Sequence, residues 1–308
     1  MLRTHGRYPY SPITRRPVYD WPNGARLAVY VAINLEAFPF GEGMGPELNP
    51  RQPEPDVANF TWRDWGNRVG VWRLLETLDR YAIPCAALMN TAIYDVCPEV
   101  AQAFRTRGDE FVGHGRTNAE RQAEMSEALE RAMLTEVTTR IAREEGAAPR
   151  GWMGPWVNQT LVTPDLLSEL NYEYVMDWAH DDQPTWLNTR TGRVVAIPYA
   201  RPTNDLPMLH GAKVVPSVWV DMLIDQFDEM LEQSTQQPIV FNLSLHPFLV
   251  GHGFRLRLDR DVHEGAEREC ENQGPDHDTP PARRWNDGYQ DRIPTGCGRV
   301  GYLTAHRT

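Results

Sequence analysis

The chain has 308 residues, 41% of them apolar and 24% charged, which is enough for one large α/β domain or two small ones. Its formal net charge of -11 argues against nucleic acid as a partner, because phosphate contacts need clustered Lys and Arg. No segment reaches the run of roughly 20 apolar residues that a membrane helix needs, and the N-terminus lacks the apolar stretch of a signal peptide. A cytoplasmic protein with no membrane partner is expected. Cys85, Cys97, Cys270 and Cys297 form no C-x-x-C pair, so neither a zinc knuckle nor a disulfide framework is expected.

Residues 1–25 are rich in Pro, Arg and aromatics without periodicity and read as an arm over the domain. "ARLAVYVAINLE" (25–36) is a β-branched apolar run, as in a strand buried on both faces. Residues 38–55, dense in Gly and Pro, form a long loop, a class that is usually functional. "NRVGVWRLLETLDRY" (67–81) places Val71, Leu74, Leu75 and Leu78 on one helical face. "IPCAALMN" (83–90) and "EFVGH" (110–114) read as strands around a helix near 97–107. A polar helix is expected over 119–145, then strand and turn in "RGWMGPW" (150–156). "TPDLLSEL" (163–170) opens a helix with Thr163 as cap and Pro at its first position. "YEYVMDW" (172–178) and "RVVAIPY" (193–199) are strands, 215–233 is an amphipathic helix, and "PIVFNLSLHP" (238–247) is a last buried strand.

Strands alternating with helices predict a parallel α/β architecture, a distorted (β/α) barrel of about seven strands over residues 26–253. Residues 254–308 lose the periodicity. They are expected to be disordered, or to be read out of frame.

In such barrels chemistry sits at the C-terminal ends of the strands. Those ends carry Asn34 and Glu36, then His114, Arg116 and Asn118, then Trp152 and Trp156. Further along come Asp177, Trp178, His180, Asp181 and Asp182, then Thr203, Asn204 and Asp205, and finally His246. Each has a plainer alternative. Glu36 suits a loop carboxylate pairing an Arg, and His114 and His246 suit packed core histidines. Asp177 fits equally a brace and a ligand. Asp181, Asp182 and the "TND" at 203–205 are common turn residues, and some of the tryptophans must be core.

Together these strand ends resemble the polysaccharide deacetylase (NodB-homology) superfamily, over about residues 25–253. The branch they look most like is the allantoinase analogues and cyclic imide hydrolases. "NRVGVWRLL" is similar to that branch's S/N-R-x-G-V-W-R signature, and "GHGRTN" to its S/G-H-G-x-x. "DDQPTW", "IPYARPTND" and "LSLHPFLVG" follow D-D-x-P-x-W, I-P-Y-x-x-x-T-N-D and L-x-L-H-x-x-L-x-G in order. The metal-dependent deacetylases of the superfamily carry T-F-D-D, with a base and then a ligand, and H-S/T-x-x-H with two ligands. Here the corresponding stretches keep Glu36 and His114 but place Ala37 and Asn118 at the other ligand positions. The resemblance therefore implies no metal and no other cofactor, since a single imidazole holds zinc poorly.

It further implies Glu36 as base, its pKa raised by burial, and His246 as acid to the leaving nitrogen. His114 and Asn118 position substrate or hold the oxyanion. Asn204 and Asp205 bind amide groups of a planar ring, Asp177 and Asp181 are further substrate ligands, and Trp152, Trp156 and Trp178 wall the ring. The expected partner is a small-molecule substrate, with self-association implied by the branch. Three functions stay open: metal-free hydrolysis of small cyclic amides, metal-dependent deacetylation of N-acetyl sugars, and non-catalytic binding.

Overall fold

The computed structural model describes residues 4–25 and 27–256. The expected tail thus lies outside the described residues from position 257 on. The strands are β1 (Leu27–Leu35), β2 (Cys85–Met89), β3 (Glu110–Gly113), β4 (Gly151–Trp152), β5 (Tyr174–Val175), β6 (Thr185–Thr189), β7 (Gly192–Ala196) and β8 (Ile239–Leu245). They form one eight-stranded sheet in the order β6-β7-β5-β4-β3-β2-β1-β8, curled into a half-barrel. All pairings are parallel except β6 with β7.

That antiparallel hairpin adds an edge strand to the expected parallel α/β architecture of about seven strands. Only Leu187 of β6 is buried, so this edge strand has one buried position and no continuous apolar run to betray it. The free edge of β8 is met by irregular chain. Val240 N–H donates to Asp182 O at 2.9 Å and Ser244 N–H to Thr203 O at 3.1 Å.

The helices are α1 (Val57–Trp65), α2 (Val71–Arg80), α3 (Ile93–Val96), α4 (Pro98–Arg107), α5 (Glu127–Glu145), α6 (Thr163–Glu169), α7 (Pro216–Gln233) and α8 (Pro247–Val250). A π-helical turn, Gly66–Gly70, joins α1 to α2. The helix expected over 119–145 begins only at Glu127, where Ser126 Oγ accepts from Leu129 N–H at 3.4 Å. Thr163 lies inside the first turn of α6 rather than capping it, and its hydroxyl bonds to the buried Glu130 carboxylate. Among the described residues no helix is long and apolar enough to cross a membrane.

Alternation along β1 sorts the core. Val31, Ile33 and Leu35 pack outward with α2, α4 and α5 residues such as Val71, Phe104 and Leu134. Tyr30 and Ala32 face inward with Leu88, Val112, Met176 and Tyr199, and Trp21 of the N-terminal segment packs on this cluster. Counting on by twos brings Asn34 and then Glu36 to the inner face at the strand's C-terminal end.

Candidate active site

The ends of β1, β3 and β8 converge on three side chains. Glu36 Oε1 lies 3.4 Å from His246 Nε2 and 3.7 Å from His114 Nε2. Asp205 fixes His246. Its Oδ1 is 2.6 Å from the ring Nδ1, and its Oδ2 accepts the His246 backbone N–H at 2.7 Å. The His114 Nδ1 is 2.6 Å from Met153 O. A carbonyl only accepts, so Nδ1 carries a proton and Nε2 is turned toward Glu36.

Buried amides lock the strand ends together. Asn90 accepts from Ala37 N–H at 2.9 Å and donates to His114 O, tying β1 to β3. Asn34 donates to Leu245 O at 3.2 Å, tying β1 to β8. Asn67, on the π-helical turn, donates to Glu36 O at 2.7 Å. The same turn presses on the His246 end of β8. A Cβ on Gly66 would stand 2.7 Å from Phe248 N, and one on Gly70 would overlap Pro247 O. Only glycine permits that approach.

The charges are coupled. Burial alone pushes the Glu36 carboxyl up. The His246 charge, with hydrogen bonds from His114 and His246, outweighs it and leaves the pKa below the ordinary value. This corrects the expectation of a raised Glu36 pKa, in which burial had no opposing charge. Burial lowers His246, but Asp205 and Glu36 lift it to about 10. At neutral pH Glu36 is therefore a carboxylate beside the His246 imidazolium, while burial raises the Asp205 pKa against the pull of His246.

Two acceptors around it have no partner: Glu36 Oε2 and Asn118 Oδ1. Leaving such atoms unpaired costs about 1–3 kcal/mol each, so the site is built for a ligand that brings hydrogen-bond donors. Asn118 is held beside them by its own N–H to Ala37 O at 3.0 Å. Trp156 Nε1 donates to Asn118 O at 2.8 Å. Trp156 and its β-branched neighbour Val157 sit at φ 66° and 54°, a strained pair of the sort found at functional sites.

The other expected site residues have different surroundings. Trp152 is fully buried in the core against Gly113 and Tyr172. Asp177 accepts from Gly154 N–H at 2.7 Å and braces the turn leading to Trp156, with burial raising its pKa to about 7. Trp178 packs with His5 and Tyr8 of the N-terminal segment. Asp181 forms a fork with Arg16, at 2.7 and 2.5 Å. Asn204 donates to Tyr199 OH at 3.3 Å and accepts from Leu206 N–H at 3.0 Å. Both oxygens of Asp205 are engaged by His246. Asn67, Asn90 and Tyr199 were not singled out from the sequence. Asn90 alone carried a usable signal, a polar residue closing an apolar strand.

The site is closed. Glu36, His114, Asn118 and His246 are 5%, 1%, 2% and 3% exposed. The loop after β1 covers them, with Met44 N–H donating to Ala119 O at 3.0 Å and Gly43, at φ 72°, pressed against Ala119.

No family model matches the chain. A Schizosaccharomyces pombe protein named "Putative polysaccharide deacetylase" is 22% identical, over 80% of this chain and 85% of its own. The crystal structure of the allantoinase PuuE aligns at TM-score 0.71 and 25% identity, covering 85% of this chain and 92% of that one. A structure named "probable polysaccharide deacetylase" from Pseudomonas aeruginosa PAO1 aligns at TM-score 0.72 and 25% identity, covering 90% and 95%. The curled half-barrel, the strand-end residues and these relatives agree: the chain is similar to proteins of the polysaccharide deacetylase superfamily.

Proposed function

We propose that the chain is a hydrolase of non-peptide carbon–nitrogen bonds that opens a small cyclic amide, imide or ureide without a metal ion. The observation that carries this is the Glu36–His246–Asp205 arrangement, an ionised carboxylate within 3.4 Å of an imidazolium held by a second carboxylate. The likeness to an allantoinase, which its name places among ring-opening hydrolases, supports the cyclic substrate.

The donor set does not fit a resident metal. Among the described residues no three His, Cys, Asp or Glu side chains are grouped to hold one. The two other ligand positions carry the methyl of Ala37 and the neutral amide of Asn118. No step is routed through a metal.

Water placed at Glu36 Oε2 gives a proton to that carboxylate while its oxygen bonds to the substrate carbonyl carbon. The carbonyl electron pair moves to oxygen, where the Asn118 amide stabilises it. The C–N bond then breaks, and the departing electron pair takes the Nε2 proton of His246. The proton on Glu36 returns to His246, 3.4 Å away, and resets the site.

The test is mass spectrometry of hydantoin, allantoin, succinimide, dihydrouracil and N-acetylglucosamine oligomers incubated with the chain and a chelator. Gain of one water with no fragment lost is the expected result. Glu36→Gln should cut that rate by about 10²–10⁴-fold. Loss of acetyl appearing only with added metal would overturn the proposal in favour of a deacetylase.

A further inference from the structure

Arg63, on the inner side of α1, is a half-buried guanidinium with its hydrogen-bonding capacity largely unused. Its Cζ lies 4.8 Å from the Phe38 ring centroid. Phe38 follows Glu36 by two residues, and its ring is 6.4 Å from that of Phe248, itself 5.5 Å from the His246 ring. Arg63 is therefore part of the aromatic wall beside the acid. Its Nη1 reaches Pro46 O in the covering loop at 3.4 Å, a long bond. Its Nε is buried and has no acceptor. Among the described residues no hydrogen bond from Nη2 and no carboxylate within ion-pair distance is found.

The covering loop is shaped around this group. A Cβ on Gly45 would overlap Arg63 Nη1 and Cζ. The loop glycine thus admits the guanidinium, and loop opening removes the one acceptor it has. Burial lowers the Arg63 pKa, and Asp56, Glu47 and Glu36 only partly restore it. A half-buried cation with its Nε buried and unpaired suits an anion. The unpartnered edge, Nε and Nη2, presents two parallel N–H donors, the spacing that matches the two oxygens of a carboxylate.

We propose that Arg63 is a specificity-determining residue, and that its ligand is a carboxylate borne on the substrate's ring. This rests on the ring-opening reading for the identity of the ring, but the fork and its missing acceptor stand apart from it. The ring then lies against the Phe38–Phe248 wall, with its reactive carbonyl toward Glu36 and its acidic substituent on Arg63.

The test compares hydantoin with hydantoin-5-acetate, using the full chain, Arg63→Gln and Gly45→Ala. Gly45→Ala keeps the charge but displaces the guanidinium. For the wild type, KM for the acid should be lower than for hydantoin by roughly 10- to 100-fold, the range of a charge-assisted pair. Both variants should remove that advantage. Equal KM values for the two rings in the wild type would overturn the proposal, as would an equal loss for both rings in either variant. If neither ring opens, the functional reading above falls instead. Both compounds are then inert ligands, and calorimetry decides the matter: hydantoin-5-acetate binding that Arg63→Gln abolishes upholds the role of Arg63, and no binding by the wild type rejects it.

Discussion

Glu36 and His246 share one electrostatic problem, and each settles the other's protonation. An isolated carboxylate in that strand end would be neutral through desolvation. The imidazolium 3.4 Å away keeps it ionised, and Asp205 keeps the imidazolium charged. The acid and base of the proposed reaction are therefore both ready at neutral pH. The sign of the pH dependence follows. Activity requires Glu36 deprotonated, which its lowered pKa secures down to the acid range. It also requires His246 protonated, which fails as pH rises through about 10. kcat/KM for the ring substrate should be flat across neutral pH and fall on the alkaline side near that value. Asp205→Asn removes the first-named lifting charge and should bring the alkaline limb toward neutrality, with a loss of activity of about 10-fold or more. A profile unmoved in Asp205→Asn would separate Asp205 from His246 ionisation. The residue types and strand-end positions of this trio were legible in the sequence. Their mutual charge was not, because desolvation is visible one residue at a time whereas compensation depends on distances between strands far apart in the chain.

The elements divide along the same line. β1 and β8 declare themselves because both their faces are buried, so nearly every residue is apolar. β6 has one buried residue and is silent. The long polar run from 119 reads as one helix by composition, yet its first turns are drawn off into a buried network. Gln122 donates to Glu130 at 2.8 Å, and the helix starts only at Glu127. The π-helical turn Gly66–Gly70 is the other unreadable element, since its cause lies in the partner it touches. Its two glycines let the backbone approach the turn that carries His246. Gly70→Ala should therefore act at two levels. The added methyl must push α2 from Pro247, costing about 1–3 kcal/mol in urea denaturation. It should also lower kcat, because Pro247 follows His246 directly. Gly211→Ala is the matched control: its Cβ meets nothing nearer than Leu206 O at 3.8 Å, and both quantities should stay near wild type. Loss of stability with kcat intact in Gly70→Ala would show that the contact supports the fold without placing the acid.

At the scale of the whole molecule, the barrel keeps its chemistry at one rim and part of its stability in the N-terminal segment. The Pro- and Arg-rich composition made that segment recognisable as an arm, but its anchor points required the partners. Arg7 forms a two-bonded fork with the buried Asp165, 2.7 Å on each arm, and exchanges a further 2.7 Å bond between its carbonyl and Asn188 N–H. Arg16 does the same for Asp181. Neither touches Glu36, His114 or His246. Removing Arg7 leaves Asp165 to the Arg190 N–H at 2.8 Å and the Arg190 charge at 3.9 Å, so the loss stays within the about 3–5 kcal/mol of a broken buried pair. Arg7→Ala should accordingly lower Tm by roughly 6–15 °C for a domain of this size while kcat on the ring substrate stays within about twofold. Burial raises the Asp165 pKa, but Arg7, with the Arg190 N–H and charge, brings it below the ordinary carboxylate value. The stability from a depressed carboxyl is present above its unfolded pKa of about 3.9 and is lost as pH falls through the folded one. The gap in Tm between wild type and Arg7→Ala should thus be full at pH 7 and shrink below about pH 4. A gap that persists unchanged into acid would mean that Arg7 acts by packing, through its stem and its bonds to Leu161 O and Asn188 O, rather than through the Asp165 charge.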